Sequence, residues 1–231
     1  MAAAQVEGVS YPVPEVAMSR YISSQRRRLL GWLALLPFVS SARAQQQRLV
    51  PTPAQTEGPF YPRTIPAERD GDLTRVAGRA EVAQGTILYL SGTVAGTDGA
   101  PLKGAVVELW QCDAFGTYHH VGESGRQDER FQGYGVVTTD SDGRYAFKTI
   151  RPVPYPGRTP HLHLKLAHPD AKPLTTQLYV AGDSAAGDGV IRWSGADVYA
   201  RLSMTLAPAT GKEPGAVAAS YGFVLADARR A

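Results

Sequence analysis

The chain of 231 residues is short of several things, and each shortage excludes something. It has one cysteine, so no internal disulfide can brace it. Cys112 stands in the mostly apolar stretch AVVELWQCDAF, where a buried structural thiol fits better than a catalytic nucleophile. No apolar run reaches the roughly 20 residues that a permanent helical membrane span requires. Beyond residue 44 there is no basic run either. Five arginines against two glutamates in residues 1–44 carry the whole formal net charge of +3, and the rest balances 19 basic against 19 acidic side chains. A chain without a basic stripe offers no electrostatic footprint for nucleic acid or an anionic membrane, and both are excluded as partners. No internal repeat stands out, and helical periodicity is confined to a short stretch near Ala196 to Leu202.

What is present begins with a targeting segment, residues 1–44. Arg26, Arg27 and Arg28 form a basic region, LLGWLALLPFV from Leu29 to Val39 an apolar one, and Ala42-Arg43-Ala44 a small-residue cleavage site after Ala44. The block SQRRRLL resembles a twin-arginine signal with Arg26 and Arg27 as the pair; an ordinary secretory signal is the alternative. Residues 1–17 precede any normal basic region, which points to a translation start at Met18. Export to the periplasm or the exterior is the expectation. The leader ends without a cysteine, which disfavours a lipid anchor.

Residues 45–85 are rich in Pro, Gly and polar side chains and read as an ordered arm wrapped on a domain. From 86 to 231 the character changes to short β-rich runs, TILYLSGTV, AVVELWQCDAF, YGVVTTD, GRYAFKTI, PHLHLKLAH, TTQLYVAG and SYGFVLAD, divided by turn clusters such as GTDGAPLKG and DSDGR. Such a pattern predicts an all-β fold, an antiparallel two-sheet β-sandwich. Part of it, SGTVAGTDG through TTDSDGRYAFKTI, also resembles transthyretin-like modules, many of which carry no chemistry.

The strongest local signal is His161-Leu162-His163. Side chains alternate along a strand, so both imidazoles project from one face and can reach one ion. Around them, ELWQCDAFGTYHH, TTDSDGRYAFKTIRPVPYPGRTPHLHLKL and TTQLYVAGD follow in order the iron-binding core of the intradiol ring-cleavage dioxygenases, and TEGPFYP matches that family's entry segment. The resemblance runs from about Thr52 to about Asp183 and is nearest to the iron-bearing subunit of protocatechuate dioxygenases and their short single-subunit relatives.

That resemblance implies an enzyme in which Fe(III) is held by Tyr118, Tyr155, His161 and His163, with Tyr118 and His161 equatorial and Tyr155 and His163 axial. The donor set suits the ion: Fe(III) is hard and highly charged, and two phenolates with a hydroxide neutralise it where imidazole alone would not. The implied substrates are a catechol-type diol and O2, and the product a muconate-type diacid. Tyr155, Arg158 and Gln177 would be catalytic: Tyr155 accepts a proton, Arg158 stabilises charge developing on the ring, and Gln177 lies on the O2 side. His119 and His120 match no ligand position, Trp110 and Tyr145 read as packing residues, and Tyr134 is the rival to Tyr118.

One departure bears on the substrate. Where protocatechuate enzymes have a longer loop with a tryptophan two residues after the tyrosine, this chain has the tight turn PGRTP with Gly157, so the pocket wall is partly missing or comes from the arm or another subunit. A homo-oligomer is compatible with the single chain. Among rivals, a cupin needs a glutamate soon after the second histidine, and Leu164 to His168 offers none; extradiol enzymes need a carboxylate and leave the tyrosines without work. The non-enzymatic alternative is an exported transthyretin-like binding module.

Overall fold

The computed structural model describes residues 48–228 apart from 120, 121, 123 and 124; the expected leader and His120 lie outside the described residues. Along the chain run β1 (Ile87–Gly96), β2 (Val106–Trp110), β3 (Tyr134–Thr138), β4 (Arg144–Ile150), β5 (His161–Ala167) and β6 (Leu174–Val180). Then come α1 (Gly189–Ser194), α2 (Ala196–Arg201), β7 (Ser203–Met204), β8 (Ala207–Pro208) and β9 (Val217–Leu225). The strands form two sheets, in the orders β4-β1-β9-β8 and β3-β2-β5-β6-β7.

The two-sheet sandwich agrees with the sequence reading, and most pairings are antiparallel. Two are parallel, β1 with β9 and β6 with β7. Neither pair is a hairpin: the two helices separate β6 from β7, and most of the domain separates β1 from β9. Connections of that length remove the antiparallel constraint that a tight turn imposes. α2 falls where helix was expected. α1 was not foreseen, because GVIRWS has no helical pattern of its own; Asp188 caps it by accepting from the Val190 and Ile191 amides.

Alternation along β5 divides the strand's two jobs. Leu162, Leu164 and Leu166 point inward and are fully buried, in a core shared with Leu88, Leu90 and Leu109 of both sheets. Burial of this kind contributes about 1.5–3 kcal/mol per leucine. His161 and His163 face the other way, yet both are buried too. Tyr155 and Tyr179 flank His161, and His163 is covered at Gly58 by the N-terminal arm. The arm is pinned to both sheets by backbone bonds, Thr52 N to Val224 O at 2.9 Å on β9 and Gln55 N to Thr175 O at 2.9 Å on β6. Among the described residues no helix is long and apolar enough to cross a membrane.

Replacing Leu162, which separates the two histidines but sits wholly in the core, should therefore act on stability. Leu162→Ala is expected to cost about 2–5 kcal/mol in denaturant unfolding. A cost below about 1 kcal/mol would mean that β5 does not anchor the site to the core in this way.

Candidate metal centre

The register of the five-stranded sheet sets what surrounds the histidines. His163 lies opposite Trp110 on β2 and Gln177 on β6, and His161 opposite Tyr179. The Trp110 ring stacks flat on His163, centroids 4.9 Å apart and planes 11° from parallel. His161 Nδ1 is 2.7 Å from the Thr159 carbonyl, which can only accept, so the proton sits on Nδ1 and Nε2 offers its lone pair. The two Nε2 atoms face each other at 3.1 Å. Burial, with Arg158 nearby, holds His161 down at about 4, and burial with His161 beside it lowers His163 well below the ordinary range. Both rings are thus neutral at neutral pH, as metal ligation requires. His163 Nδ1 is buried and has no hydrogen-bond partner among the described residues.

Two loops bring the tyrosines to this point. The loop after β2 is organised by buried Asp113. Its Oδ1 accepts from the Phe115 and Thr117 amides at 2.9 and 3.1 Å, and its Oδ2 from the Asp128 amide at 2.8 Å. His119 Nε2 lies 3.1 Å from the same Oδ2, so His119 secures the loop and points away from the other histidines. Loop and neighbour approach closely at Gly116, whose φ is +78° and where a Cβ would lie 3.4 Å from the Cβ of Tyr155. Tyr155 itself opens a turn closed by Arg158 N to Tyr155 O at 2.9 Å. Pro156 and Gly157 at its centre, with Gly157 at φ +78°, suit a type II turn.

Four rings consequently close a circuit. Centroid separations are 5.6 Å for Tyr118–Tyr155, 5.5 Å for Tyr155–His161, 4.7 Å for His161–His163 and 6.1 Å for His163–Tyr118. Phe60, from the arm's GPFYP, stacks on Tyr118 at 4.4 Å and meets Tyr155 edge-on at 5.7 Å. Burial pushes the Tyr118 phenol well up, and Tyr155 is raised by burial against the pull of Arg158. Without a cation between them, both phenols stay protonated. Among the described residues no three His, Cys, Asp or Glu side chains cluster so as to hold a metal. The side chains that close the circuit around the two imidazoles are the phenols of Tyr118 and Tyr155.

Beside the circuit lies an ordered cation. Arg158 donates to the Tyr155 hydroxyl at 3.3 Å, to Asp188 at 3.0 Å and to the amide oxygen of Gln177. Gln177 is fixed in turn, its nitrogen donating 2.9 Å to the Thr56 carbonyl of the arm. All six residues singled out from sequence, Tyr118, Tyr155, Arg158, His161, His163 and Gln177, thus belong to one contiguous group. Tyr134 does not join it, because its hydroxyl donates to Glu108 at 2.7 Å. Trp110 does more than pack the core, since it seats His163. Asp188 was missed altogether. It holds Arg158 and also accepts from the Thr159 amide at 2.9 Å, bracing the carbonyl that orients His161. Its one sequence signal was an Asp-Gly preceding VIRW, a helix cap rather than a site motif.

Comparison with known proteins bears on the family and the fold. A family model described as "Dioxygenase" matches residues 56–227. Hydroxyquinol 1,2-dioxygenase of Corynebacterium glutamicum is 34% identical over 151 residues, 57% of this chain and 47% of the relative. The protocatechuate 3,4-dioxygenase beta chain of Burkholderia cepacia is 36% identical over 124 residues, 49% of this chain and 53% of the relative. A solved dioxygenase domain, from a carbohydrate-binding fusion protein of Streptomyces sp. SirexAA-E, superposes with a TM-score of 0.58 at 29% identity, covering 77% of this chain and 99% of that one. The chain belongs to the intradiol dioxygenase family. It spans about half the length of the curated relatives it matches.

The buried histidines make a prediction about pH. The unfolded chain, with an ordinary histidine pKa of 6.5, takes up the proton that folded His161 refuses until about 4. Stability of the metal-free protein is therefore complete above that upper value and falls as pH drops through the window. His161 alone accounts for about 3 kcal/mol by the lower end. Urea unfolding across that range should show the decline, and His161→Gln should flatten it by about that amount; an unchanged profile would contradict a buried neutral His161.

Proposed function

We propose that the chain is a non-haem Fe(III) intradiol dioxygenase, with the iron held by Tyr118, Tyr155, His161 and His163. It would insert both atoms of O2 into a catechol-type diol to give a muconate-type diacid. The observation that carries this reading is the closed circuit of two neutral imidazoles, their Nε2 atoms 3.1 Å apart, and two phenols, Tyr118 buried and Tyr155 half-buried. Fe(III) bound there would supply a Lewis acid that keeps both phenolates ionised and gathers the diol oxygens.

The protein's own groups divide the remaining work. Tyr118 is 2% exposed and clamped under Phe60, which suits a permanent ligand. Tyr155 is only partly buried and sits in a turn, so it is free to swing and to take a proton from the entering diol at its Oη. Arg158 is a permanent cation already beside that oxygen, and Asp188 and Gln177 prevent it from turning away. It is placed to offset negative charge spreading onto the ring. Gln177 lies across His163 from Trp110, and by the family resemblance it is the residue on the O2 side. The arm, through Phe60 and the Thr56 carbonyl, excludes water from the back of the circuit. Export by the twin-arginine-like leader belongs to the same proposal and is supported by its layout. Mature protein from the periplasm or medium should begin at Gln45, and an N-terminal sequence retaining residues 29–39 would count against it.

Spectroscopy tests the ligands directly. Iron-loaded protein should be red-brown from phenolate-to-Fe(III) charge transfer, and colourless protein with stoichiometric iron would overturn the tyrosine assignment. Tyr118→Phe and Tyr155→Phe should each shift the band, whereas Tyr134→Phe should leave it in place. For the activity, catechol, protocatechuate and hydroxyquinol should be surveyed for O2 uptake with formation of ring-opened acids. Arg158→Gln should keep the colour but slow turnover by about 10²–10³-fold. Coloured protein that consumes no O2 with any diol would favour the transthyretin-like binding module.

A further inference from the structure

Tyr155 and Arg158 face two ways. On one side they belong to the ring circuit, and on the other they form the inner wall of an open cleft of about 480 Å³. The opposite wall is the segment from Asp183 to Gly187, where Ser184 and Ala186 line the space. A cleft of that size falls within the range that accommodates drug-sized ligands and exceeds what one diol ring needs. Its roominess has a local cause. Gly157 stands at the edge, and a Cβ there would meet nothing within 4 Å, so no side chain projects from that position to close the space.

The cleft is also built rather than incidental, because three ties hold its walls together. Arg151 grips Asp183 at 2.7 and 2.9 Å, Asp188 binds Arg158 and the Thr159 amide at 3.0 and 2.9 Å, and the Thr159 hydroxyl donates to the Ser184 carbonyl. The same ties settle its charge. Each arginine on the walls, Arg151 and Arg158, is already matched by a carboxylate, Asp183 and Asp188. A carboxylate on the substituent would find Arg151 already paired and Asp183 alongside. An uncharged group meets no such repulsion, and Pro154, Pro160 and Ala186 give it apolar surface.

We propose that this cleft receives the substituent of a ring-substituted catechol, bulky and uncharged, while the diol ring lies against Tyr155 and Arg158. The inference rests on the catalytic reading above and names the substrate class for that site. Iron-loaded enzyme should show a kcat/KM for 4-phenylcatechol at least about tenfold above those for catechol and protocatechuate. Calorimetry on metal-free protein supplies a readout independent of turnover: 4-phenylphenol should bind at least about tenfold more tightly than phenol. Ala186→Trp places a ring into the cleft from an exposed position, and should erase both preferences. Turnover of no diol, with the phenylphenol preference present and lost in Ala186→Trp, would refute the catalytic reading and support the cleft assignment. Ready turnover of catechol or protocatechuate with no phenyl preference in either measurement would overturn the cleft assignment alone. Preferences that survive Ala186→Trp would also overturn it.

Discussion

Two neutral imidazoles held with their Nε2 atoms 3.1 Å apart constrain everything else in this structure. A strand can place histidines at i and i+2 on one face, but nothing in a strand keeps them neutral, dry and correctly protonated. Those conditions come from three other parts of the chain. The leucines between and beside the histidines, Leu162 and Leu164, root β5 in the core. The arm, with Phe60 beside the tyrosines, removes the outer face of the sheet from water. The Thr159 carbonyl sets the His161 tautomer. Each is needed, because such a pair left in water would protonate or turn outward.

Two buried carboxylates do for the loops what the core does for the strand. Asp113 gathers the amides of Phe115, Thr117 and Asp128 and so shapes the loop that presents Tyr118. Asp188 gathers the amides of Thr159, Val190 and Ile191 together with the Arg158 guanidinium. Their hydrogen bonds hold both acids below the ordinary carboxylate range against the opposing effect of burial. Irregular backbone can then carry site residues with a definition that loops otherwise lack. The consequence is asymmetric: Tyr118 lies under an aromatic lid, while Tyr155 keeps one side open to the cleft.

Much of this was legible in the chain. The β-runs appeared wherever hydrophobic alternation was regular, and the His161–His163 pair declared itself through the strand period. Tyr118, Tyr155, Arg158 and Gln177 were reached through resemblance, since no local rule relates loop residues dozens of positions apart. Asp188 escaped because its sequence context specifies only a helix cap, and its second pair of partners, Arg158 and Thr159, lies about 30 residues earlier. α1 escaped with it, being too short for periodicity to register. Trp110 was read as packing, and only the β2–β5 register shows that it packs against His163.

The sequence by itself determined the sandwich class, the face on which the histidines stand and the kinds of donor available, because side-chain alternation and residue chemistry are local properties. Resemblance favoured Tyr118 over Tyr134, but only tertiary structure supplies the physical ground for that choice. Tyr118 and Tyr134 lie in similar settings along the chain, but one is brought beneath Phe60 and the other is turned to Glu108. Tertiary structure also decided that the arginines beside the cleft arrive already paired with carboxylates, since those partners come from a distant segment. Pairing of that kind depends on which chain segments the fold packs together, and no spacing rule within a strand or turn encodes it.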